Sequence, residues 1–155
     1  MADIDGTANG ETLTGTADAD LINALAGEDE VFGLDGDDRL NGDDTINGGA
    51  GTDTINGGDG DDRLAGEDGD DDFTGGDGND RFLAGAGTDV IHDFRAGAGV
   101  VDQLDLTPFT FTNLADIQAI TTDTAGGAVI QISATDTIQL VGVTEASLVE
   151  DDFIF

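Results

Sequence analysis

The chain has 155 residues, a length suited to one domain, and sets 35 acidic residues against four arginines, for a formal net charge of −31. That balance excludes nucleic acid and anionic membranes as partners, since both are held through a basic footprint. Cysteine is absent, so neither disulfides nor thiolate metal sites hold the fold, and no apolar run approaches the roughly 18 residues that membrane insertion requires.

The first residues, MADIDGTANG, carry no basic-then-apolar leader pattern, so export is expected to proceed without a cleaved N-terminal signal. Residues 1–94 hold 26 of the 35 acids and 20 of the 25 glycines, and the composition shift puts a boundary near Phe94. Composition alone would call residues 1–94 disordered, because so much like charge and so few large apolar groups cannot offset the entropy of ordering. Their periodicity contradicts that.

An apolar residue recurs as Leu13, Ile22, Val31, Leu40, Ile46, Ile55, Leu64, Phe73, Phe82 and Ile91, at intervals of nine except for one of six. Two places earlier runs an acid: Glu11, Asp20, Asp29, Asp38, Asp44, Asp53, Asp62, Asp71, Asp80 and Asp89. With the acid counted as position six, position four is glycine except at Asn9 and Asp18. A glycine-rich hexad such as GGDGDD makes a tight turn that exposes carbonyls, and the three residues that follow suffice for a short strand with its central side chain inward. Each nonapeptide is thus one turn and one strand. With successive strands on opposite walls, two nonapeptides make a coil and the turns stack in two columns.

Stacked turns bring aspartates within about one strand spacing, ~4.8 Å, where they repel unless a cation lies between them. Carboxylate and carbonyl oxygens in number and at flexible geometry suit Ca²⁺, whereas Mg²⁺ keeps its waters and zinc recruits histidine or cysteine. The candidate ligands are the carboxylates of Asp20, Asp29, Asp38, Asp53, Asp62, Asp71, Asp80 and Asp89. The turn glycines Gly36, Gly48, Gly49, Gly51, Gly57, Gly58, Gly60, Gly66, Gly69, Gly75, Gly76, Gly78, Gly85 and Gly87 complete the set. Adjacent acids in the two columns give up to eight calcium sites, of which about five are expected to be firm: Asp20–Asp38, Asp38–Asp53, Asp53–Asp71, Asp71–Asp89 and Asp62–Asp80. The short turn 42–44 predicts weak sites on either side of Asp44, and Glu11–Asp29 has a longer acid and a poor glycine hexad.

The phrases GGAGTDTIN (48–56), GGDGDDRLA (57–65) and GGDGNDRFL (75–83) resemble the calcium-binding nonapeptide GGxGxDxUx of the RTX, or hemolysin-type, family. GTADADLIN (15–23) and ALAGEDEVF (24–32) are looser matches, and the resemblance covers residues 6–92. It implies an all-β, right-handed parallel β-roll. VIHDF (90–94), DQLDL (102–106) and DDFIF (151–155) resemble the region that caps the roll in type I secretion substrates, whose uncleaved signal lies at the extreme C-terminus. The departures are the six-residue interval and the long AGAGVV (96–101).

The remaining charged residues have plainer readings. Asp35, Asp37, Asp59, Asp61, Asp68, Asp70 and Asp77, at positions three and five, are expected to be outer charge that aids solubility. Arg39, Arg63 and Arg81 follow the ligand aspartate and neutralise charge beside the strand. His92, the only histidine, is expected to be structural at the junction, and Ser133 and Ser147 have no base placed by spacing. No HExxH, GxSxG or P-loop occurs, so the chain is expected not to be an enzyme.

Beyond residue 94, VVDQLDLTPF (100–109) alternates as a strand up to Pro108. NLADIQAIT (113–121) reads as an Asn-capped short helix, and AVIQIS (128–133) and TIQLVGV (137–143) as strands, before a last turn and a hydrophobic end. Such a β-rich cap, residues 95–155, would close the open end of the roll. Asp93, Asp102 and Asp105 either add a calcium site at the junction or cap turns. The expected function is a secreted, extracellular calcium-binding module that is disordered without Ca²⁺ and folds after type I secretion, with the secretion machinery as partner. One alternative is the non-catalytic tail of a larger secreted enzyme, such as a protease, lipase or alginate epimerase, that assists polysaccharide or surface binding. A second is a structural or adhesive surface protein.

Overall fold

The computed structural model describes all residues except Ala26, Glu28, Asp43, Val100 and Val101, together with the side chain of Asp44. Residues 1–94 form strands β1 (Asp3–Asp5), β2 (Thr12–Thr14), β3 (Leu21–Asn23), β4 (Asp29–Asp35), β5 (Arg39–Asn41) and β6 (Asp44–Ala50). They continue with β7 (Thr54–Asp59), β8 (Arg63–Asp68), β9 (Asp72–Asp77), β10 (Arg81–Leu83) and β11 (Thr88–Ile91). Odd-numbered strands build one sheet and even-numbered strands the other, every pairing among them parallel. This is the parallel β-roll that the nonapeptide period implies.

The register aligns the apolar series wall by wall. Leu13, Val31, Ile46, Leu64 and Phe82 lie in line on one wall, and Ile22, Leu40, Ile55, Phe73 and Ile91 on the other. All but the half-buried Leu13 are sequestered from solvent. A period of two inside the strand aims one residue in three inward, so each coil contributes little core and depends on its neighbours for burial. Ile4 extends the second line downward, pairing with Ile22.

Two features differ from the three-residue strands read from the period. Strands β7, β8 and β9 run six residues and β4 and β6 seven, because positions two and three also enter the parallel ladder, as in Leu34 with Gly49 and Gly58 with Gly76. The short turn shortens a coil without disturbing it: Asp29 pairs with Asp44, Leu40 pairs with Ile55, and the alternation of walls continues. Asp43 and the Asp44 side chain, on which the expectation of weak sites rests, lie outside the described residues.

Residues beyond 94 join the same two sheets. They comprise β12 (Gln103–Asp105), α1 (Leu114–Gln118), β13 (Thr121–Thr124), β14 (Gly127–Gln131), β15 (Thr137–Val141) and β16 (Phe153–Ile154). Strand β12 lies parallel on β10, with β16 beyond it, and β15 lies parallel on β11. Leu104 therefore continues the line of Phe82, and Leu140 that of Ile91. Strands β14 and β13 then turn antiparallel and end that sheet. Asn113 caps α1, its side-chain oxygen accepting the N–H groups of Ala115 and Asp116 as the spacing predicts. The threonine-rich β13 went unread because it carries no apolar alternation.

The core thickens toward this end. The rings of Phe73 and Phe82 meet edge to face at 6.0 Å, and Phe94 lies 6.0 Å from Phe82. Phe73→Ala should therefore cost ~3–5 kcal/mol in chemical denaturation, while Leu13→Ala at the half-covered first coil should cost less than half as much. Equal losses at the two positions would mean that the roll is packed evenly along its length.

Candidate metal centre

Each turn ends on its position-six acid, and the parallel register stacks these acids into columns. In six of them one oxygen is fixed by the coil before it. The Asp38 carboxylate Oδ1 accepts the Asp20 N–H at 2.7 Å, Asp53 that of Asp38 at 2.8 Å, Asp71 that of Asp53 at 2.9 Å and Asp89 that of Asp71 at 3.2 Å. In the other column Asp29 accepts from Glu11 at 2.8 Å and Asp80 from Asp62 at 3.1 Å. These aspartates are all buried. The interval of six residues is absorbed here too, since Asp38 and Asp53, 15 residues apart, keep the contact that other pairs make at 18.

The second oxygen differs. In Asp38, Asp53, Asp71, Asp80 and Asp89, Oδ2 is buried with no hydrogen-bond partner. An ionised oxygen in that position costs free energy unless a cation compensates it. Burial pushes the Asp53 carboxyl up to about 6 and the Asp89 carboxyl up to about 7, and raises Asp38, Asp71 and Asp80 as well. The chain's own amide donors pull the other way and do not prevail.

Asp20 is the contrast. Ala2 N–H donates to its Oδ1, and the Thr16 amide and hydroxyl donate to Oδ2 at 2.6 and 2.8 Å, so both oxygens are satisfied and its carboxyl is lowered, chiefly by the Ala2 bond. Glu11 is likewise engaged by the Thr7 amide and hydroxyl. Threonine at position two therefore closes the first two turns from within. Position two was not singled out by the period, although GT opens both of those hexads and none of the others.

The turn glycines leave room for these carboxylates. A methyl group at Gly33, Gly48, Gly57, Gly66 or Gly75 would overlap Oδ2 of that turn's own aspartate, which is why position one stays small. Position four takes positive φ, +138° at Gly51 and +145° at Gly69, and the Gly51 carbonyl lies where a Gly69 Cβ would stand. The same stacking joins Gly36 to Gly51, Gly69 to Gly87 and Gly60 to Gly78. Of the other candidate donors, Gly49, Gly58 and Gly76 take positive φ at position two, Gly85 lies against the Glu67 carbonyl, and the Gly87 carbonyl accepts the Thr137 N–H at 2.8 Å.

Among the described residues no three acidic or histidine side chains converge on a point. A cation held here would take at most two of the described carboxylates, from adjacent coils, and would draw its other ligands from main-chain carbonyls and water. An all-oxygen set of that kind fits Ca²⁺.

The residues around the columns divide between expectation and correction. Asp37, Asp61 and Asp70 are more than outer charge: they accept the N–H groups of Thr52, Asn79 and Thr88 in the coil above, at 2.9, 2.8 and 2.7 Å. His92 meets Asp72 of the adjacent strand at 3.0 Å. Arg81 reaches across to Asp105, whose other oxygen accepts the Thr107 amide and hydroxyl, and Asp93 accepts the N–H groups of Gly75 and Gly76, both at 2.9 Å. Asp93 and Asp105 thus act as turn caps. Asp102 is held by Arg95, a residue that the spacing did not single out.

The RTX calcium-binding nonapeptide repeat (4 copies) matches residues 5–40, 41–73 and 57–91 of the chain. Solved structures similar to it include the following two. The AlgE6R3 subunit from the Azotobacter vinelandii mannuronan C5-epimerase is 20% identical over 97% of this chain and 80% of that one, with a TM-score of 0.44. The extracellular lipase LipA from Serratia marcescens is 14% identical over 97% of this chain and 39% of that one, with a TM-score of 0.40. No curated protein sequence matches. With stacked acid columns built on the nonapeptide and the family's repeat matched over more than half its length, the chain belongs to the RTX calcium-binding nonapeptide repeat family.

Proposed function

We propose that this chain is a calcium-dependent folding module, disordered at cytosolic calcium and folded once secreted, with residues 1–94 as the roll and 95–155 as the cap that completes it. The observation that carries the reading is the row of buried aspartate oxygens, from Asp38, Asp53, Asp71 and Asp89, that no protein group satisfies. The ions that satisfy them sit between Asp38 and Asp53, Asp53 and Asp71, Asp71 and Asp89, and Asp62 and Asp80. The pair Asp20–Asp38 ranks below these four, because Thr16 and Ala2 already serve Asp20.

The energetics follow from charge. At −31 the chain repels itself, and each bound ion removes two units of that charge while closing one interval of a column. Extracellular-type sites bind at ~10⁻⁴ to 10⁻³ M, so cytosolic calcium leaves them empty and the chain remains threadable for type I secretion machinery. Calcium binds the folded roll and hardly the unfolded chain, so its binding free energy appears as folding free energy. The roll has no catalytic role in this reading: its carboxylates hold calcium, and His92 is engaged by Asp72.

Far-UV circular dichroism in chelator should show mostly unordered chain at pH 7.5, with β signal appearing cooperatively at millimolar calcium and not with equimolar magnesium. Full β content in chelator would refute the switch. Removing residues 95–155 uncovers the layer of Phe82 and Ile91, so a 1–94 fragment should need several-fold more calcium to fold. The same midpoint for both would show that the cap contributes nothing to closure.

Protons should act as weak substitutes. The folded carboxyls of Asp53 and Asp89 hold their protons to about pH 6 and 7, whereas in the unfolded chain they release them near 4. The calcium-free roll is therefore least unstable at acid pH and loses stability as pH rises from about 4 through about 7. In chelator, β signal should grow as pH falls from 8 to 5, and Asp89→Asn should flatten that response. In calcium the sign reverses, the calcium midpoint rising as protons compete below about pH 7.

A further inference from the structure

One column continues into the cap. Asp102 Oδ1 accepts the Asp80 N–H at 3.1 Å, the Asp80 carbonyl accepts the Gln103 N–H at 2.7 Å, and Phe82 pairs with Leu104. These are the contacts by which each coil of the roll seats the next. The interval is 22 residues where the roll uses 18, so the nonapeptide period does not reveal it. By geometry Asp102 is the position-six aspartate of one more coil.

What lies at this pair is an arginine. The Arg95 Nη2 is 3.0 Å from Asp102 Oδ1 and 3.9 Å from Asp80 Oδ2, and the Arg95 main-chain N–H donates to Asp102 Oδ2 at 2.8 Å. Both oxygens of Asp102 are therefore served by protein groups, and the Asp80 oxygen that lacks a hydrogen bond faces a full positive charge. Both carboxylates are 1% exposed at the side chain. Within the roll, by contrast, Asp38, Asp53 and Asp71 have only amide donors from the preceding coil and leave their second oxygen bare.

We infer that the Arg95 guanidinium takes the place of a calcium ion between Asp80 and Asp102, so that the calcium column stops there and the cap is joined to the roll by a cation that cannot dissociate. A guanidinium stays protonated at any pH at which the protein folds, and its charge-assisted hydrogen bonds are stronger than neutral ones. The seam between roll and cap then keeps a positive charge beside its carboxylate pair at calcium concentrations that empty the rest of the column. This rests on the reading of the position-six aspartates as calcium ligands.

The test counts ions on the full chain by equilibrium dialysis against radioactive calcium at saturation, with circular dichroism to follow folding. Arg95→Gln removes the charge and offers an amide oxygen, and should bind one ion more than the unmodified chain. Asp102→Asn should bind the same number as the unmodified chain, and the double variant should return to that number. An unchanged count in folded Arg95→Gln, or the loss of an ion in Asp102→Asn, overturns the inference. If Arg95→Gln does not fold even in calcium, the Asp102→Asn count alone decides. Asp71→Asn is the separate check: should it lose no ion, the reading of the column as a calcium site fails, whatever the other variants do.

Discussion

Like charges stacked at the spacing of β-strands are the constraint on which this molecule turns. The parallel ladder that lines up Ile22, Leu40, Ile55, Phe73 and Ile91 also lines up the acids two residues before them, and neither alignment can be had without the other. The apolar lines alone are thin, one large side chain per strand. The columns would oppose folding if they remained bare. In the function proposed above, calcium is what lets the ladder form at neutral pH.

The ends of the columns are finished differently from their middles. At the N-terminal end, Thr7 and Thr16 turn back on Glu11 and Asp20, and Ala2 takes the column position of a further acid without bringing a carboxylate. At the C-terminal end, Arg95 and the hydrogen bonds of Asp93 and Asp105 bind the last turns to the cap. Between them Asp38, Asp53 and Asp71 keep a second oxygen without a hydrogen bond, as does Asp89 at the end of its own column.

Much of this was legible in the sequence, and for a definite reason. A strict period places each Leu, Ile, Val or Phe inward and each position-six acid in a column, so walls, register and candidate ligands all follow from counting. What counting cannot reach is contact made off the period. Asp37, Asp61 and Asp70 read as outer charge that aids solubility, yet each bonds an amide one coil away. Asp102 joins its column after 22 residues, and Thr121–Thr124 makes a strand with no apolar alternation. The short turn at 42–44 was visible as an irregularity, while the preserved pairing of Val31 with Ile46 shows that the ladder, not turn length, sets the alignment.

That the coil holding Asp38 and Asp53 closes in 15 residues bears on how such a chain can change over generations. Each coil touches only the one before and the one after, so losing three turn residues, or gaining or losing a whole repeat, leaves every other neighbour relation as it was. Gene duplication or deletion within such a coding stretch would lengthen or shorten the roll while the finished ends remain serviceable. A globular domain with one interlocked core has no comparable tolerance.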